Sequence, residues 1–517
     1  MHAIQAVAND FGKSFDSSNN LNHSETTHTQ ILDKLLNEVK KIDFELLAFP
    51  QRVKLEQEIK AIFDNQKRTK EDSERMQRLQ KKVDNLKLNE DHYLVLAIES
   101  IIKFAKENKW DLCKNQDFIY IYNGAYWKHI DKGDFQCFLG KAAEKMGVPK
   151  FKAKVFHFNE KLMKQFLHAA HLPTPEPNKD NVLINLLNGT FEITPDGTKL
   201  RPFNRKDFIT YQLPFEYNPT AETPIFTKFL NRVLPDEERQ RVLSEFMGYI
   251  FIKHGGKLKL DSALILHGGG ANGKSVFYEI LRAMLGIENV STYSLQELTD
   301  SSGYYRAMIG NKLLNYASEI SGKLEIDMFK KMVSGEQMTA RLPYGKPMEL
   351  NNYAKFVFNC NELPKDVEHT NAFFRRWIII PFDVTIPKAE QDSELHTKII
   401  DSELSGVFNW VLDGLNRLLI QKRFSVCEAA EQALEQYKTE SNSVQMFLNE
   451  NEYKSSVTKY KLIKTFYNEY REFCKEDGII PFKKLNFIKQ LKAFNLLIDR
   501  VSQNQLAVFI DGNDLVF

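Results

Sequence analysis

Apolar positions set the first elements of the chain. Val53, Leu55, Ile59 and Ile62 recur at helical spacing, as do Met76, Leu79, Val83 and Leu86. Two amphipathic helices follow from that period. The stretch between them, NQKRTKEDSERMQRLQKK, is dense in both charge signs, as the solvated face of a helical hairpin or short coiled coil would be. Residues 29–92 are therefore expected to be a helical segment. Residues 1–28, rich in Ser, Asn, Thr and His, are expected to be a flexible tail. Near Phe118 the period changes to two. FIYIYNGAYWKHI reads as two alternating strands joined at Asn123-Gly124, a pair that tolerates positive φ.

A second alternating stretch, LINLLNGTFEITPDGTKLRPF, carries Asn188-Gly189 and Asp196-Gly197. Residues 93–224 thus predict a compact α+β module, ending in a linker from Pro214 to Pro224. Helices are expected from Phe226 to about Ile252. Between Asp261 and Phe382, the short apolar runs SALILH, KLLNYAS, KFVFNCN and RWIIIPF alternate with helical patterns. That alternation predicts an α/β sheet covered by helices, spanning 225–384. Residues 385–440 read helical. Residues 441–517 combine three helix-like patterns with a strand-like end, LAVFIDGNDLVF. The fold class expected is multidomain, α+β and α/β.

Composition narrows the field only slightly. The 517 residues are 43% hydrophobic and 27% charged, ordinary for a globular protein of two to four domains. The net charge of +2 means that any nucleic-acid contact comes from local patches, not a global field. The five cysteines are scattered, with no zinc-ligand spacing and no sign of a disulfide framework. No signal peptide and no membrane span are read, and a cytoplasmic protein is expected.

The chemistry centres on LHGGGANGKSVF. Gly268, Gly269, Gly270, Ala271, Asn272, Gly273, Lys274 and Ser275 fit G-x-x-x-x-G-K-[ST], between a strand and an amphipathic helix that begins near Val276. Glycines let backbone N–H groups curl round phosphate oxygens, lysine reaches the outer phosphates, and the serine hydroxyl suits magnesium. The next strand ends in Glu319, where a phosphoryl-transfer enzyme can keep a base for water, although most glutamates at strand ends are simply solvated. KFVFNCNELP ends its strand in Asn361, which suits either a water-positioning group or a turn. FFRRWIIIPF presents Arg375 and Arg376 at the mouth of another strand. An arginine that reaches a neighbouring nucleotide stabilises transferred charge.

These four motifs, in this order over about a hundred residues, resemble a superfamily 3 helicase of the phage/plasmid primase–helicase type, related to poxvirus replication helicases. The resemblance covers roughly Phe118 to Asp383 and includes NGTFEITPDGTKLRPFNRKDFITYQLPFEYNPTAETPIFTKFL and LSEFMGYIFIKHGG. It implies an AAA+-like ATPase core, a homo-oligomeric ring (usually a hexamer), ATP and Mg²⁺ between subunits, and single-stranded and forked DNA as partners. Lys274 and Ser275 would grip the nucleotide, with Glu319 as catalytic carboxylate and Asn361 as sensor. Arg376 would be the arginine acting on the neighbour, with Arg375 in reserve. Metal would rest on Ser275 and Glu319. Ser318 departs from the paired acids that many relatives carry at this strand end. The family also places a DNA-gripping hairpin before Asn361. Tyr344 and Lys346 match its tip, and Lys330 and Arg341 match nearby basic positions.

Many relatives carry a fused primase. The segment before Leu94 reads as tail and helices without a cysteine cluster, so a helicase without primase is expected, working with a separate primase or initiator. At the other end, Leu485, Ile488 and Leu491 are expected on one helix face, with Lys483, Lys484, Lys489 and Lys492 around the rest. Followed by a wing-like end, this resembles a winged helix that could contact DNA through Lys483 and Lys484. The function expected is ATP-dependent unwinding with 3′ to 5′ polarity, for a phage, plasmid or integrated element in a bacterial host cytoplasm. Two alternatives are an initiator that melts an origin without processive unwinding, and a ring scaffold that binds ATP without turnover.

Overall fold

The computed structural model describes residues 28–65, 68–115, 118–170, 181–256, 258–318, 320, 325–343, 345, 347–364 and 369–512. The chain divides into two compact units, Met1–Tyr217 and Asn218–Phe517. The division falls inside the expected Pro214–Pro224 linker.

The first unit begins with helices α1 (His28–Glu38), α2 (Phe44–Ala48), α3 (Gln51–Asp64), α4 (Lys70–Asp84) and α5 (Glu90–Glu107). Strands β1 (Asp111–Asn115), β2 (Phe118–Tyr122) and β3 (Trp127–Ile130) follow, then α6 (Lys132–Met146), α7 (Lys150–Lys154) and α8 (Phe156–Ala169). The first apolar stripe is shallower than its spacing suggests: α3 has no buried residue, and Val53 is exposed. In α4 only Leu79 and Val83 are buried. Alternation in the β1–β2–β3 sheet sorts side chains to two cores. Leu112, Ile119, Ile121 and Ile130 join the helices, while Cys113, Tyr120, Tyr122 and Trp127 pack with Phe208 on the other side. Asn123 makes the predicted turn, its Oδ1 accepting from the backbone N–H of Ala125 at 3.0 Å and Tyr126 at 2.9 Å. The antiparallel strands β4 (Val182–Leu186), β5 (Gly189–Thr194) and β6 (Gly197–Arg201) complete the unit, with Gly189 and Gly197 opening the two later strands.

The second unit begins with α9 (Pro224–Val233) and α10 (Glu237–Tyr249). Next come β7 (Ala263–His267), α11 (Lys274–Leu285), β8 (Val290–Ser291), α12 (Leu295–Thr299), α13 (Tyr304–Met308), β9 (Leu314–Ala317) and α14 (Ile326–Val333). The hairpin β10 (Met338–Arg341) and β11 (Pro347–Leu350) precedes β12 (Lys355–Cys360), α15 (Asn371–Phe374) and β13 (Trp377–Pro381). Five of these strands form a parallel sheet in the order β13-β7-β12-β9-β8. Their near-continuous apolar sequences follow from burial on both faces. The long α16 (Leu395–Gln421) packs along α10. A Cβ on Gly414 would meet the Ser244 backbone at 2.3 Å, so the approach requires glycine. Glu403 of α16 accepts from the N–H groups of Ile225 and Phe226 at 2.9 and 2.8 Å, satisfying free donors in the first turn of α9.

The chain continues through α17 (Glu428–Ser441) and α18 (Ser443–Glu450) to β14 (Lys454–Leu462), α19 (Ile463–Glu476), α20 (Lys484–Ala493), β15 (Ile498–Val501) and β16 (Gln505–Asp511). The last three strands form an antiparallel sheet in the order β14-β16-β15. Phe447, Phe466, Tyr470, Phe487, Leu491 and Val508 make its core. One expectation is corrected here. Leu485 is 76% exposed, and Phe487, fully buried, takes the inward position. Two positions along a helix is a rotation of about 200°, so the two side chains fall on opposite faces.

Candidate functional site

The parallel order places the carboxyl ends of β13, β7, β12 and β9 side by side. After β7 the chain crosses to the far edge at β8 and returns through β9 and β12. It then passes to the other side of β7 as β13. That reversal makes the end of β7 a topological switch point, where open α/β sheets take their ligands.

The glycine-rich loop leaves β7 at this point and is tied to both neighbours. Gly268 N–H donates to the Cys360 carbonyl at 3.2 Å, and Phe382 N–H donates to the His267 carbonyl at 2.7 Å. Asn272 Nδ2 donates to the Phe382 carbonyl at 3.0 Å, and Ile386 N–H to the Ala271 carbonyl at 2.7 Å. A Cβ on Gly268 would lie 2.4 Å from the Phe382 carbonyl oxygen, so the sequence requires glycine there. Gly273 (φ 84°) is the N-cap of α11, and its Cβ would meet Val233 at 2.6 Å. Gly269 and Gly270 instead border open space.

Lys274 is buried within this loop. Its ammonium donates to the carbonyls of Gly268 and Gly269 at 2.6 and 2.9 Å and to Asn272 Oδ1 at 2.9 Å. Burial pushes its pKa down. Ser275 is exposed in the first turn of α11, with Val276 half-buried behind it. The first N–H groups of that helix and its positive dipole end favour an anion.

Around the loop, Asn361 is exposed immediately after β12, and Ser318 is exposed immediately after β9. Glu319 lies outside the described residues. Sequence reasoning missed two further groups. Asn359 Oδ1 and Tyr316 Oη are both buried without a hydrogen-bond partner, although buried polar atoms are normally paired. Val357 and Tyr316 are register partners, so Asn359, two residues on, projects from the same sheet face as Tyr316. Counting by two from Asn361 would have found it. Tyr278 of α11 stacks on Tyr316 at 4.1 Å. Open glycines and a ready cation at one sheet end fit a polyphosphate. Tyr316 Oη can donate to an oxygen, whereas Asn359 Oδ1 only accepts, as from a water.

The two arginines point differently. Arg375 is exposed. Arg376 is 7% exposed, donating through Nη2 to Ser334 Oγ at 2.9 Å and through Nη1 to the Ala372 carbonyl. The arginine expected to reach outward is thus the one held inward, because Phe373, Phe374 and Trp377 around it are core residues.

The expected DNA-contacting residues are dispersed. Lys330 lies on α14, 3.8 Å from Asp327. Arg341 ends β10, donating to Tyr304 Oη at 3.0 Å with its guanidinium over that ring. The hairpin itself is present, pairing Met338 with Leu350 and Arg341 with Pro347. Tyr344 and Lys346 lie outside the described residues. Lys483 and Lys484 are exposed where α20 begins.

Comparison with known proteins shows what the chain is similar to. Residues 99–235 match the family described as D5 N terminal like. Residues 266–376, from the glycine loop to the arginine pair, match a family of unknown function, DUF5906. A protein of Acanthamoeba polyphaga mimivirus, named "Putative helicase L207/L206", is 26% identical over 238 residues. That match covers 44% of this chain and 24% of the relative, so the chain spans about a quarter of that protein's length. Two apo structures of the NrS-1 C terminal region are each 14% identical, with TM-scores of 0.48 and 0.47. They cover 79% and 80% of this chain and 98% of their own. The first family match and the viral relative agree with the helicase–primase resemblance read from the sequence. No helix among the described residues is long and apolar enough to cross a membrane.

Proposed function

We propose that this protein is an ATP-driven, ring-forming DNA helicase with an AAA+-like core, acting in replication of a phage, plasmid or integrated element. The observation that carries the reading is the switch-point loop, with Lys274 held at its centre by three oxygens. Magnesium-bound ATP, when present, supplies the phosphoanhydride whose hydrolysis drives movement. Lys274 exchanges the Gly268 and Gly269 carbonyls for phosphate oxygens, while the loop N–H groups and Gly269-Gly270 wrap the chain of phosphates. Ser275 and Glu319 would hold the metal, which would supply positive charge to the phosphates. Glu319 takes the proton of the attacking water. Asn361 orients that water, and Asn359 offers a second acceptor close by.

The arginine that acts on a neighbouring subunit's nucleotide is assigned to Arg375. It is exposed, whereas Arg376 anchors its segment to α14 through Ser334. Lys330, Arg341, Tyr344 and Lys346, on and around the β10–β11 hairpin, grip single-stranded or forked DNA in the ring channel. Unwinding runs 3′ to 5′ on a hexamer in the bacterial host cytoplasm, with a separate primase or initiator as partner.

A second reading, an initiator that melts an origin, draws on the carboxy-terminal arrangement. There α18, β14, α19, α20 and the β15–β16 hairpin follow winged-helix order, with Lys483, Lys484 and Leu485 exposed on the third helix. Strand displacement from a forked duplex decides between them. A helicase displaces the strand with ATP, whereas an initiator binds origin duplex and leaves the fork intact.

A further inference from the structure

The most exposed large apolar side chain among the described residues is in the first unit, outside the sequence motifs used above. Phe151 is 87% exposed, and Phe156 and Val155 follow at 64% and 50%. They belong to KFKAKVFH, residues 150–157, where basic and apolar side chains alternate. Single exposed hydrophobics are ordinary, but three within six residues, interleaved with cations, are not.

The backbone explains why they face outward. Ala153, 1% exposed, pins α7 to the core, and Phe158 and Leu162 do the same for α8. Val155 is extended (φ −73°, ψ 130°) and breaks the helix between them. With those three buried positions fixed, Lys150, Phe151, Lys154, Val155, Phe156 and His157 all remain on the surface. Neighbouring acids cover the cations only in part. Lys154 lies 3.9 Å from Glu144, and Lys152 lies 4.0 Å from Glu90 and over the Tyr93 ring. His157 approaches Glu160 at 3.5 Å and its own neighbour Phe156 at 5.5 Å between ring centroids.

We infer that this segment is a binding surface for single-stranded DNA, separate from the channel hairpin. Phe151 and Phe156 supply faces on which bases stack, and Lys150, Lys152 and Lys154 supply charge along the phosphate backbone. A protein partner would favour apolar contact without this alternation of cations. The inference extends the helicase reading by giving the first unit its own hold on the strand, and it can be tested without hydrolysis.

The test is fluorescence anisotropy with labelled oligo-dT and the full-length protein, without nucleotide, for wild type and Phe151→Ala/Phe156→Ala. A Lys150→Glu/Lys154→Glu variant and a Phe63→Ala surface control complete the set. Both double variants should bind at least about tenfold more weakly, the first through lost base stacking and the second through lost phosphate contacts. Their melting temperatures and DNA-independent ATP hydrolysis should match wild type, as should Phe63→Ala binding. Photo-crosslinks from halogenated thymidine should map to residues 150–157. Affinity within twofold of wild type in both double variants, or crosslinks confined elsewhere, would overturn the inference. Failure of wild-type ATP hydrolysis would count against the helicase reading and leave this result standing.

Discussion

Arg376 donates through Nη2 to Ser334 Oγ at 2.9 Å, and the bond turns this side chain toward α14 while its neighbour Arg375 stays exposed. Two adjacent arginines therefore separate into a structural and an outward-facing group. The pair predicts different failures. Arg375→Ala should lower ATP hydrolysis by about 10³-fold in the assembled protein with unchanged melting, the scale of losing a trans-acting arginine. Arg376→Ala should cost about 1–3 kcal/mol of stability, because it leaves Ser334 and the Ala372 carbonyl without a partner. Phosphate release and thermal melting on both variants separate the roles.

Lys355 gives a pH signature. It is buried at the start of β12, with its ammonium 3.0 Å from His254 Nδ1 and 4.2 Å from the centre of the Tyr249 ring. Tyr353 stacks on the same histidine, and Asp261 supplies a favourable charge for Lys355. Burial pulls the Lys355 pKa down to about 7. An unfolded lysine keeps its proton to about pH 10.4, so the unfolded chain binds more protons between about 7 and 10. Stability from this group should rise with pH across that window by about 1 kcal/mol per unit, and be flat below it. Burial also pulls His254 down, but its window lies below the ordinary histidine pKa. Denaturation of wild type and Lys355→Met at pH 7, 8 and 9 should show the slope in wild type alone.

Gly414→Ala should separate α16 from α10. Its Cβ would sit 2.3 Å from both the carbonyl carbon and oxygen of Ser244, which are backbone atoms and cannot rotate away. Overpacking of this kind costs about 1–3 kcal/mol, visible as a drop of a few degrees in melting temperature.

The exposed lysines of α20 bear on duplex binding. If Lys483 and Lys484 each meet a phosphate, replacing both with alanine should reduce the salt slope of duplex affinity by about 2. Leu485→Ala should leave that slope unchanged while altering sequence preference. Titrations at several salt concentrations read both.

Much of the candidate site was legible because its constraints are local. Gly268 and Gly273 both sit at positive φ, and the flanking strand and helix carry their own periods. The parallel strands are legible because burial on both faces leaves short, mostly apolar runs. Orientation was harder. Nothing in FFRRW distinguishes Arg375 from Arg376 until Phe373 and Trp377 take their places in the core. Leu485 and Phe487 were equally suited to lead the apolar face of α20, and the larger ring went inward. Asn359 lies inside the strand, where a polar residue carries no local signal that its oxygen is left unpaired.

The central claim is that ATP turnover at the glycine loop moves a DNA strand. Displacement of a labelled strand from a forked duplex, with wild type and Glu319→Gln side by side, tests it most directly. ATP-dependent displacement by wild type, lost in Glu319→Gln together with phosphate release, is the predicted result. Phosphate release that persists in Glu319→Gln, or hydrolysis by wild type with the fork left intact, would contradict it.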